Sequence, residues 1–211
     1  MTLSNFHRAT FQKQFGFSKE AMKKLEIYSK LIFKWQEKVN LISKSSAQDL
    51  WKRHFFDSAQ VLKFIKKTKG DLVDLGSGAG FPGLVIAVKF IESGGPQVHL
   101  IEANKKKALF LIEANQMLKT NVIVHSKPLE QIIGLKADII TARALAPLDR
   151  LLGLATRFLK PDSTCLFLKG ENAGIELREA QKTWRFRVEK FDSITRDGAK
   201  ILKIGGIKAL V

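Results

Sequence analysis

Short apolar runs alternate with longer amphipathic stretches from position 71 onward. Apolar runs of a few residues predict strands, whereas apolar residues spaced three and four apart predict helices. This alternation predicts an α/β fold, a mostly parallel sheet with helices on both faces and ligands at the carboxyl ends of the strands. The predicted strands are 72–75, 98–102, 122–125, 137–141 and 164–168, and the predicted helices lie near 82–92, 105–118 and 148–159. In the helix at 105–118, Leu109, Ile112 and Met117 form the predicted apolar side.

The two ends of the chain follow different patterns. After position 171 we predict a shorter helix and then two strand-like runs, 186–194 and 200–207, that pair with each other. Before position 71 the apolar positions follow helical spacing after a cap at Ser18, and no strand is evident. We therefore predict an N-terminal helical extension at 1–70 that packs on a single compact domain at 71–211 and forms one wall of its cleft. The positions that define two helices are Leu25, Tyr28, Leu31, Ile32, Trp35 and Val39 in the first, and Leu50, His54, Val61 and Leu62 in the second.

The amino-acid composition limits the classes to which the protein can belong. The chain has 211 residues, of which 45% are hydrophobic, and this fits one large globular core. We find neither an apolar run long enough to cross a membrane nor a secretory leader. The single cysteine, Cys165, permits no intramolecular disulfide and no zinc site of its own, so we expect no metal and a reducing, cytoplasmic location.

The segment 72–83, LVDLGSGAGFPG, carries the clearest chemical signal. A strand runs into glycines at 76, 78 and 80, and a helix follows. Phe81 occupies the place of the third glycine in a dinucleotide fingerprint, and no Lys-Ser/Thr pair follows as in a phosphate-binding P-loop. The GxGxG spacing of Gly76, Gly78 and Gly80, with Asp74 just before it, is instead typical of S-adenosyl-L-methionine (AdoMet) sites. A purely structural turn is the alternative.

Three later strand ends supply further candidates for this site. Glu102 ends the second strand, where a carboxylate can accept hydrogen bonds from ribose hydroxyls. Leu129 and Glu130 follow the third strand, where such folds contact adenine. Arg143 follows the fourth strand and can meet a carboxylate or a phosphate over the cleft, with a surface ion pair as the alternative.

Charge indicates an anionic polymer as the partner. The formal net charge is +16 and the isoelectric point is near 10.0. Up to position 70 the chain has 15 basic and 5 acidic residues, so the extension carries most of the excess. We predict phosphate contacts there, and we favour them over an anionic membrane surface because the apolar helix faces are needed for packing. The basic residues concerned are Lys23, Lys24, Lys30, Lys34, Lys38, Lys63, Lys66, Lys67 and Lys69.

Three residues are candidates for contact with the polymer itself. Arg53 and His54 lie in the segment RHFFDS, in which Arg53 and Asp57 are spaced as a common helix-surface ion pair. A local structural role and a role facing the substrate or cofactor both remain open for this segment. Lys169 ends the fifth strand at the edge where ligands bind, although a lysine there can simply cap the strand.

Taken together, these segments resemble those of the bacterial small-subunit ribosomal RNA guanine-N7 methyltransferases, also called the glucose-inhibited division protein B family. The resemblance extends over nearly the whole chain and depends on the joint presence and order of its motifs. They are Trp35 with Asn40-Leu41, RHFFDS at 53–58, DLGSGAGFPGL at 74–84, LIEANKKK at 100–107, TARALAPL at 141–148 and LKG at 168–170.

The resemblance implies a class I AdoMet-dependent methyltransferase (Rossmann-like) fold with an N-terminal helical part. It also implies methylation of a guanine in the decoding region of small-subunit ribosomal RNA, either as RNA or within the small ribosomal subunit, by a chain that we expect to be monomeric. Glu102 stands where many members have Asp. The implied AdoMet contacts are Gly76, Phe81, Leu129, Glu130 and Arg143, with Asp74, Gly78 and Glu102 nearby.

The chemistry implied by the resemblance needs no general base. Guanine N7 has a free lone pair and can attack the sulfonium methyl directly, so positioning is the expected source of catalysis and no residue is assigned as catalytic. The fourth strand does not end in the Asn/Asp-Pro-Pro-aromatic motif of exocyclic-amine methylation. Three alternatives remain: a methyltransferase that acts on a protein or small molecule, a noncatalytic RNA-binding or ribosome-assembly protein, and an NAD(P)-dependent enzyme.

Overall fold

The computed structural model describes residues 3–66 and 69–210. Its centre is a seven-stranded sheet in the order β3-β2-β1-β4-β5-β7-β6, and β7 runs in the opposite direction to the other six strands. The predicted, mostly parallel sheet and the pairing of the last two strands are thus confirmed. The strands are β1 (Asp71–Leu75), β2 (Gln97–Ile101), β3 (Ile123–His125), β4 (Ala137–Arg143), β5 (Leu159–Lys169), β6 (Trp184–Asp192) and β7 (Lys200–Ala209).

Helices cover both faces of the sheet. In the described residues the α-helices are α1 (Leu3–Phe15), α2 (Lys19–Gln36), α3 (Lys44–Ala47), α4 (Asp57–Ala59), α5 (Gly83–Lys89), α6 (Lys105–Leu118), α7 (Leu148–Thr156) and α8 (Ala173–Ala180). Ser18 caps α2 as predicted, since its Oγ accepts a hydrogen bond of 3.0 Å from the Ala21 amide. Helix α1 was not predicted. No helix in the described ranges is long and apolar enough to cross a membrane.

The second predicted helix of the extension has three parts. A π-helical turn, Trp51–Phe56, leads into α4, and a 3-10 turn, Gln60–Phe64, ends the segment. A π-helical turn bonds residue i to residue i+5, and the regular spacing of an α-helix does not predict it.

The predicted apolar side of α6 is wrong. Leu109, Ile112 and Met117 are 57%, 39% and 48% exposed. The helix has apolar residues on more than one side, and the packing of Phe110 against Tyr28 and Trp35 decides which side is buried. The residues buried on this helix are Ala108, Phe110, Leu111, Ala114 and Leu118.

Tyr28 connects the helical extension to the loop after β1. It is fully buried, and its ring centroid lies 5.6 Å from that of Phe55 and 5.3 Å from that of Phe81. Its hydroxyl donates a short hydrogen bond to the Ala79 carbonyl within the glycine loop. The extension and one face of the sheet therefore share one hydrophobic core.

Replacing Tyr28 with Phe should destabilise the protein by about 1–3 kcal/mol, because the buried Ala79 carbonyl loses its donor. The measurement is the free energy of unfolding in urea at equilibrium. Phe33→Leu, at a position that is 45% exposed, is the control and should change stability by less than about 0.5 kcal/mol. Equal stability of Tyr28→Phe and the wild type would contradict the assigned role of the hydroxyl.

Candidate active site

A cavity of about 970 Å³ opens at the carboxyl ends of the parallel strands. It lies where the strand order reverses between β1 and β4, the position at which open α/β sheets bind ligands. Of the eleven site residues predicted from the sequence, all but Asp74 line it. The ten are Arg53, His54, Gly76, Gly78, Phe81, Glu102, Leu129, Glu130, Arg143 and Lys169.

The glycine loop forms the floor of this cavity and requires glycine for two separate reasons. Gly76 and Gly80 have φ of 62° and 90°, in the region that disfavours residues with a Cβ. A Cβ on Gly76 would also lie 2.5 Å from Leu145 Cδ1, and one on Gly80 would lie 2.6 Å from the Tyr28 hydroxyl oxygen. The loop therefore approaches its neighbours closely on both sides.

Asp74 supports this loop from below and has no surface in the cavity. Its carboxylate accepts hydrogen bonds of 3.2 Å from the Gly83 amide and 2.7 Å from the Thr141 hydroxyl. Complete burial raises the pKa of Asp74 to about 6, although hydrogen bonds from Thr141, Ser77 and Gly83 oppose this shift. Asp74 thus holds the loop and the start of α5 in place; the cavity surface is formed by the residues that follow it.

Glu102 both supports the loop and faces the cavity. Its Oε2 accepts a hydrogen bond of 2.8 Å from the Gly78 amide, and its Oε1 accepts one of 2.8 Å from the Asn104 amide. Each carboxylate oxygen can accept more than one hydrogen bond, so a ribose hydroxyl still finds an acceptor there. Beyond Glu102, Leu129 and Glu130 lie in a 3-10 turn that continues the wall.

Arg143 joins the end of β4 to the π-helical turn. Its Nη1 lies 3.3 Å from Asp57 Oδ2 and donates to the Arg53 carbonyl at 3.1 Å. Its Nη2 lies 2.7 Å from His54 Nδ1, and its guanidinium carbon lies 4.9 Å from the centroid of the Phe81 ring. The arginine is therefore held at the cavity wall from several directions.

The predicted surface pair between Arg53 and Asp57 does not form among the described residues. Asp57 binds Arg143 through one oxygen and accepts a hydrogen bond of 2.8 Å from the Thr195 hydroxyl through the other. Arg143 and Thr195 reach Asp57 from β4 and from the connection between β6 and β7, and these tertiary contacts take the place of the local pair. Arg53 is left exposed at the cavity mouth.

His54 is an uncharged partner of Arg143. It is only 7% exposed, and burial, with smaller contributions from Arg143 and Arg53, lowers its pKa to about 3. Because Nδ1 faces the arginine donor, Nδ1 is the acceptor and the proton belongs on Nε2. Within the described ranges the buried Nε2 has no hydrogen-bond partner. A neutral, buried imidazole does not suit a phosphate contact.

Lys169 is paired as well. Its Nζ lies 2.5 Å from Glu176 Oε2 and 2.8 Å from the Ala146 carbonyl oxygen, and its side chain is 8% exposed. The same Glu176 oxygen accepts a hydrogen bond of 2.7 Å from the Leu148 amide at the start of α7. Lys169 is therefore not a free cation for RNA.

The cavity also includes residues that the sequence did not single out for it. Lys107 and Arg150 line its mouth from α6 and α7, and Thr195 lines it from the connection between β6 and β7. Glu176 belongs to the same wall. For Lys107, Arg150 and Glu176 the only available signal was their place near the starts of helices that follow the strands, which is too common to identify a site, and Thr195 had no such signal.

The sheet order, the glycine loop and the acidic residue at the end of β2 define a class I AdoMet-dependent methyltransferase. The profile of the rRNA small subunit methyltransferase G family matches residues 21–203, and the chain belongs to this family. Ribosomal RNA small subunit methyltransferase G of Paramagnetospirillum magneticum is 46% identical over 189 residues, which cover 90% of each chain. The protein of the same name from Rhodospirillum centenum is 44% identical over 203 residues, 96% of this chain and 92% of that one.

A solved structure supports the fold. The SAM-dependent methyltransferase from Aquifex aeolicus superposes with a TM-score of 0.55 at 19% identity, covering 78% of this chain and 95% of that chain. At this level of identity the likeness concerns the fold alone.

Replacing His54 with Gln should reduce the loss of folding stability that occurs as the pH falls below neutrality. The pKa of His54 rises from about 3 in the folded chain to about 6.5 on unfolding, so stability present above pH 6.5 is lost as the pH falls below it. Between about pH 7 and about pH 5 the wild type should lose about 2 kcal/mol that the variant keeps. Urea unfolding across this pH range measures the difference, and parallel curves would contradict it.

Proposed function

We propose that the protein transfers the methyl group of AdoMet to N7 of a guanine in small-subunit ribosomal RNA. The observation that carries the proposal is the cavity itself, in which the glycine loop, Glu102 and Arg143 converge at the switch point of the sheet in a member of this family. The names of the relatives, which identify them as methyltransferases of small-subunit ribosomal RNA, support the substrate. We further propose that the chain acts as a monomer in the cytoplasm.

The described residues fit AdoMet. The open backbone at Gly76 and Gly78 accepts the methionine and ribose parts, and Glu102 offers acceptors to ribose hydroxyls. Leu129 and Glu130 lie farther along the same wall, where the adenine belongs. Arg143 supplies positive charge for a carboxylate, although Asp57 offsets part of that charge.

Positioning is the main contribution of this chain to the reaction. AdoMet supplies an electrophilic methyl group when bound, and guanine N7 attacks it with a free lone pair, so no proton has to be removed first. His54 is neutral and already accepts a hydrogen bond from Arg143. Cys165 is fully buried, and burial raises the pKa of its thiol, so it does not serve as a nucleophile. The walls must instead hold the two reactants in line.

We infer that the main phosphate contacts lie at the cavity mouth, to which the extension contributes Arg53, and not along the lysines of the extension. In the extension, Lys24 donates to the Leu118 carbonyl at 2.7 Å, and Lys34 pairs with Glu113 at 3.5 Å. Lys67 lies outside the described residues.

Three cations at the mouth are better placed to meet the polymer. Arg53 and Arg150 are exposed, Lys107 is half-buried, and in the described part of the chain none of the three forms an ion pair. They come from three different elements around the opening. We propose that these three cations, which we call the rim cations, contact the phosphates beside the target nucleotide.

Gly76→Ala should weaken AdoMet binding about tenfold or more, because the added Cβ displaces the loop from Leu145. Gly94→Ala is a matched control, since Gly94 also has a positive φ, of 72°, but nothing lies within 4 Å of its added Cβ. Calorimetric titration with AdoMet should show nearly wild-type affinity for the control. Unchanged affinity in Gly76→Ala would show that AdoMet does not bind at this loop. A wild-type protein that binds no AdoMet would favour a noncatalytic role.

Replacing the rim cations Arg53, Lys107 and Arg150 with Gln should weaken binding to small-subunit ribosomal RNA. The slope of log affinity against log salt concentration should fall by about 2 to 3, because each lost phosphate contact lowers it by roughly 0.7 to 0.9. AdoMet affinity should stay unchanged, which separates this effect from a general loss of structure.

The matched control for the rim variant removes three exposed lysines of the extension, Lys13, Lys19 and Lys30, by the same substitution. It alters the net charge by the same amount, so nonspecific attraction changes equally. We expect its salt slope to stay close to that of the wild type. If the extension variant lost more RNA affinity than the rim variant, the lysines of the extension would be the main RNA contacts and the proposal for the rim cations would be wrong.

A further inference from the structure

Glu176 lies in a part of the cavity that the proposed cofactor contacts leave unoccupied. Those contacts lie at the ends of β1, β2, β3 and β4, whereas Glu176 lies beside Lys169 at the end of β5. In the sheet, β5 and β2 are on opposite sides of the central pair β1 and β4. The cavity therefore extends beyond Arg143 to a second wall, next to Leu145 and Pro147.

The two oxygens of the Glu176 carboxylate differ in their partners. Oε2 accepts hydrogen bonds from the Leu148 amide at 2.7 Å and from Lys169 Nζ at 2.5 Å, so both of its lone pairs are used. Among the residues that the structure describes, none donates to Oε1. The side chain is thus fixed through one oxygen, and because Glu176 lines the cavity, the other oxygen can accept hydrogen bonds from a ligand there.

The electrostatics of this wall suit a neutral group that donates hydrogen bonds. Lys169 and Glu176 neutralise each other, and the lysine also donates to the Ala146 carbonyl. A phosphate finds no net positive charge here, in contrast to the rim. Apolar Leu145 and Pro147 beside the pair can contact the faces of a planar base.

We propose that Glu176 is the residue that selects guanine, with Oε1 accepting hydrogen bonds from N1–H and the 2-amino group. This inference rests on the proposed function. Guanine carries these two donors side by side on its Watson–Crick edge, whereas adenine has an acceptor at N1. Enzymes that modify an extruded base read that edge through such hydrogen bonds.

This orientation leaves the reacting atom free. N7 lies on the opposite side of the purine from N1 and the 2-amino group, so a base held by Glu176 at the β5 side directs N7 toward the cofactor side. Transfer forms the N7–carbon bond, breaks the sulfur–carbon bond and moves the positive charge from sulfur to the purine. The hydrogen bonds to a carboxylate then strengthen as the reaction proceeds, and this favours the transition state over the ground state.

The test is Glu176→Gln. Leu148 N–H and Lys169 Nζ both donate toward the Oε2 position, so the amide oxygen of Gln must take that place and its NH₂ must face the cavity. The variant keeps the contacts that hold α7 but replaces the free acceptor with a donor. Thermal stability should fall, because Lys169 is only 8% exposed and loses its counter-ion, whereas AdoMet affinity should remain close to wild type because the cofactor contacts lie at the other strand ends.

The decisive readout is the preference for guanine over inosine at the methylated position. Inosine keeps N7, O6 and N1–H but lacks the 2-amino group. Small-subunit ribosomal RNA carrying either base is assembled into subunits, and methyl transfer is measured in single turnovers at saturating AdoMet. The wild type should prefer guanine by about 10- to 100-fold, because inosine leaves the carboxylate with one donor fewer, and Glu176→Gln should bring this ratio close to one.

The control is Glu171→Gln, which removes the same charge from an exposed carboxylate that pairs with Arg196 and does not line the cavity. Its guanine preference should equal that of the wild type. A Glu176→Gln variant that slows transfer to both bases equally, with the ratio unchanged, would overturn the specificity role and leave the proposed function intact. A wild-type chain that methylates no guanine in this RNA would overturn both.

Discussion

The glycine loop after β1 must hold one left-handed backbone conformation open toward the cavity, and the rest of the site depends on this constraint. Glycine permits the positive φ angles, but it does not select one loop conformation among many. Three side chains make that selection from three directions: Asp74 from below, Glu102 from β2 and Tyr28 from the extension. The helical extension is therefore part of the cofactor pocket's support as well as its neighbour.

A second set of contacts fixes the opposite wall. The π-helical turn brings His54 and the Arg53 carbonyl against Arg143, and Asp57 completes the group while also binding Thr195. A cation held in this way keeps its direction when a ligand enters, so less ordering is needed on binding. Within the described residues 3–66 and 69–210, the cavity thus has a cationic central wall, a neutral ion-paired wall at β5 and free cations at its mouth. These three parts suit the cofactor, the target purine and the phosphates that flank that purine, in that order.

The sequence was sufficient to predict the sheet, the glycine loop and the strand-end residues Glu102, Leu129 and Arg143, because each of these depends on local pattern and on the position of a strand end. It was not sufficient for features that depend on contacts between distant elements. The exposed face of α6 follows from how Phe110 meets Tyr28, and the partner of Asp57 comes from the end of β4, a long-range contact that no spacing rule signals. Lys169 had the right position, yet its charge is neutralised by a glutamate on the next helix.

The central claim is that this cavity brings a guanine of small-subunit ribosomal RNA to the methyl group of AdoMet. Mass-spectrometric mapping of methylated guanines in that RNA, from cells with the gene, without it and with it restored, tests this most directly. We predict that one N7-methylguanine disappears on deletion and returns when the gene is restored. An identical map in all three strains would contradict the account.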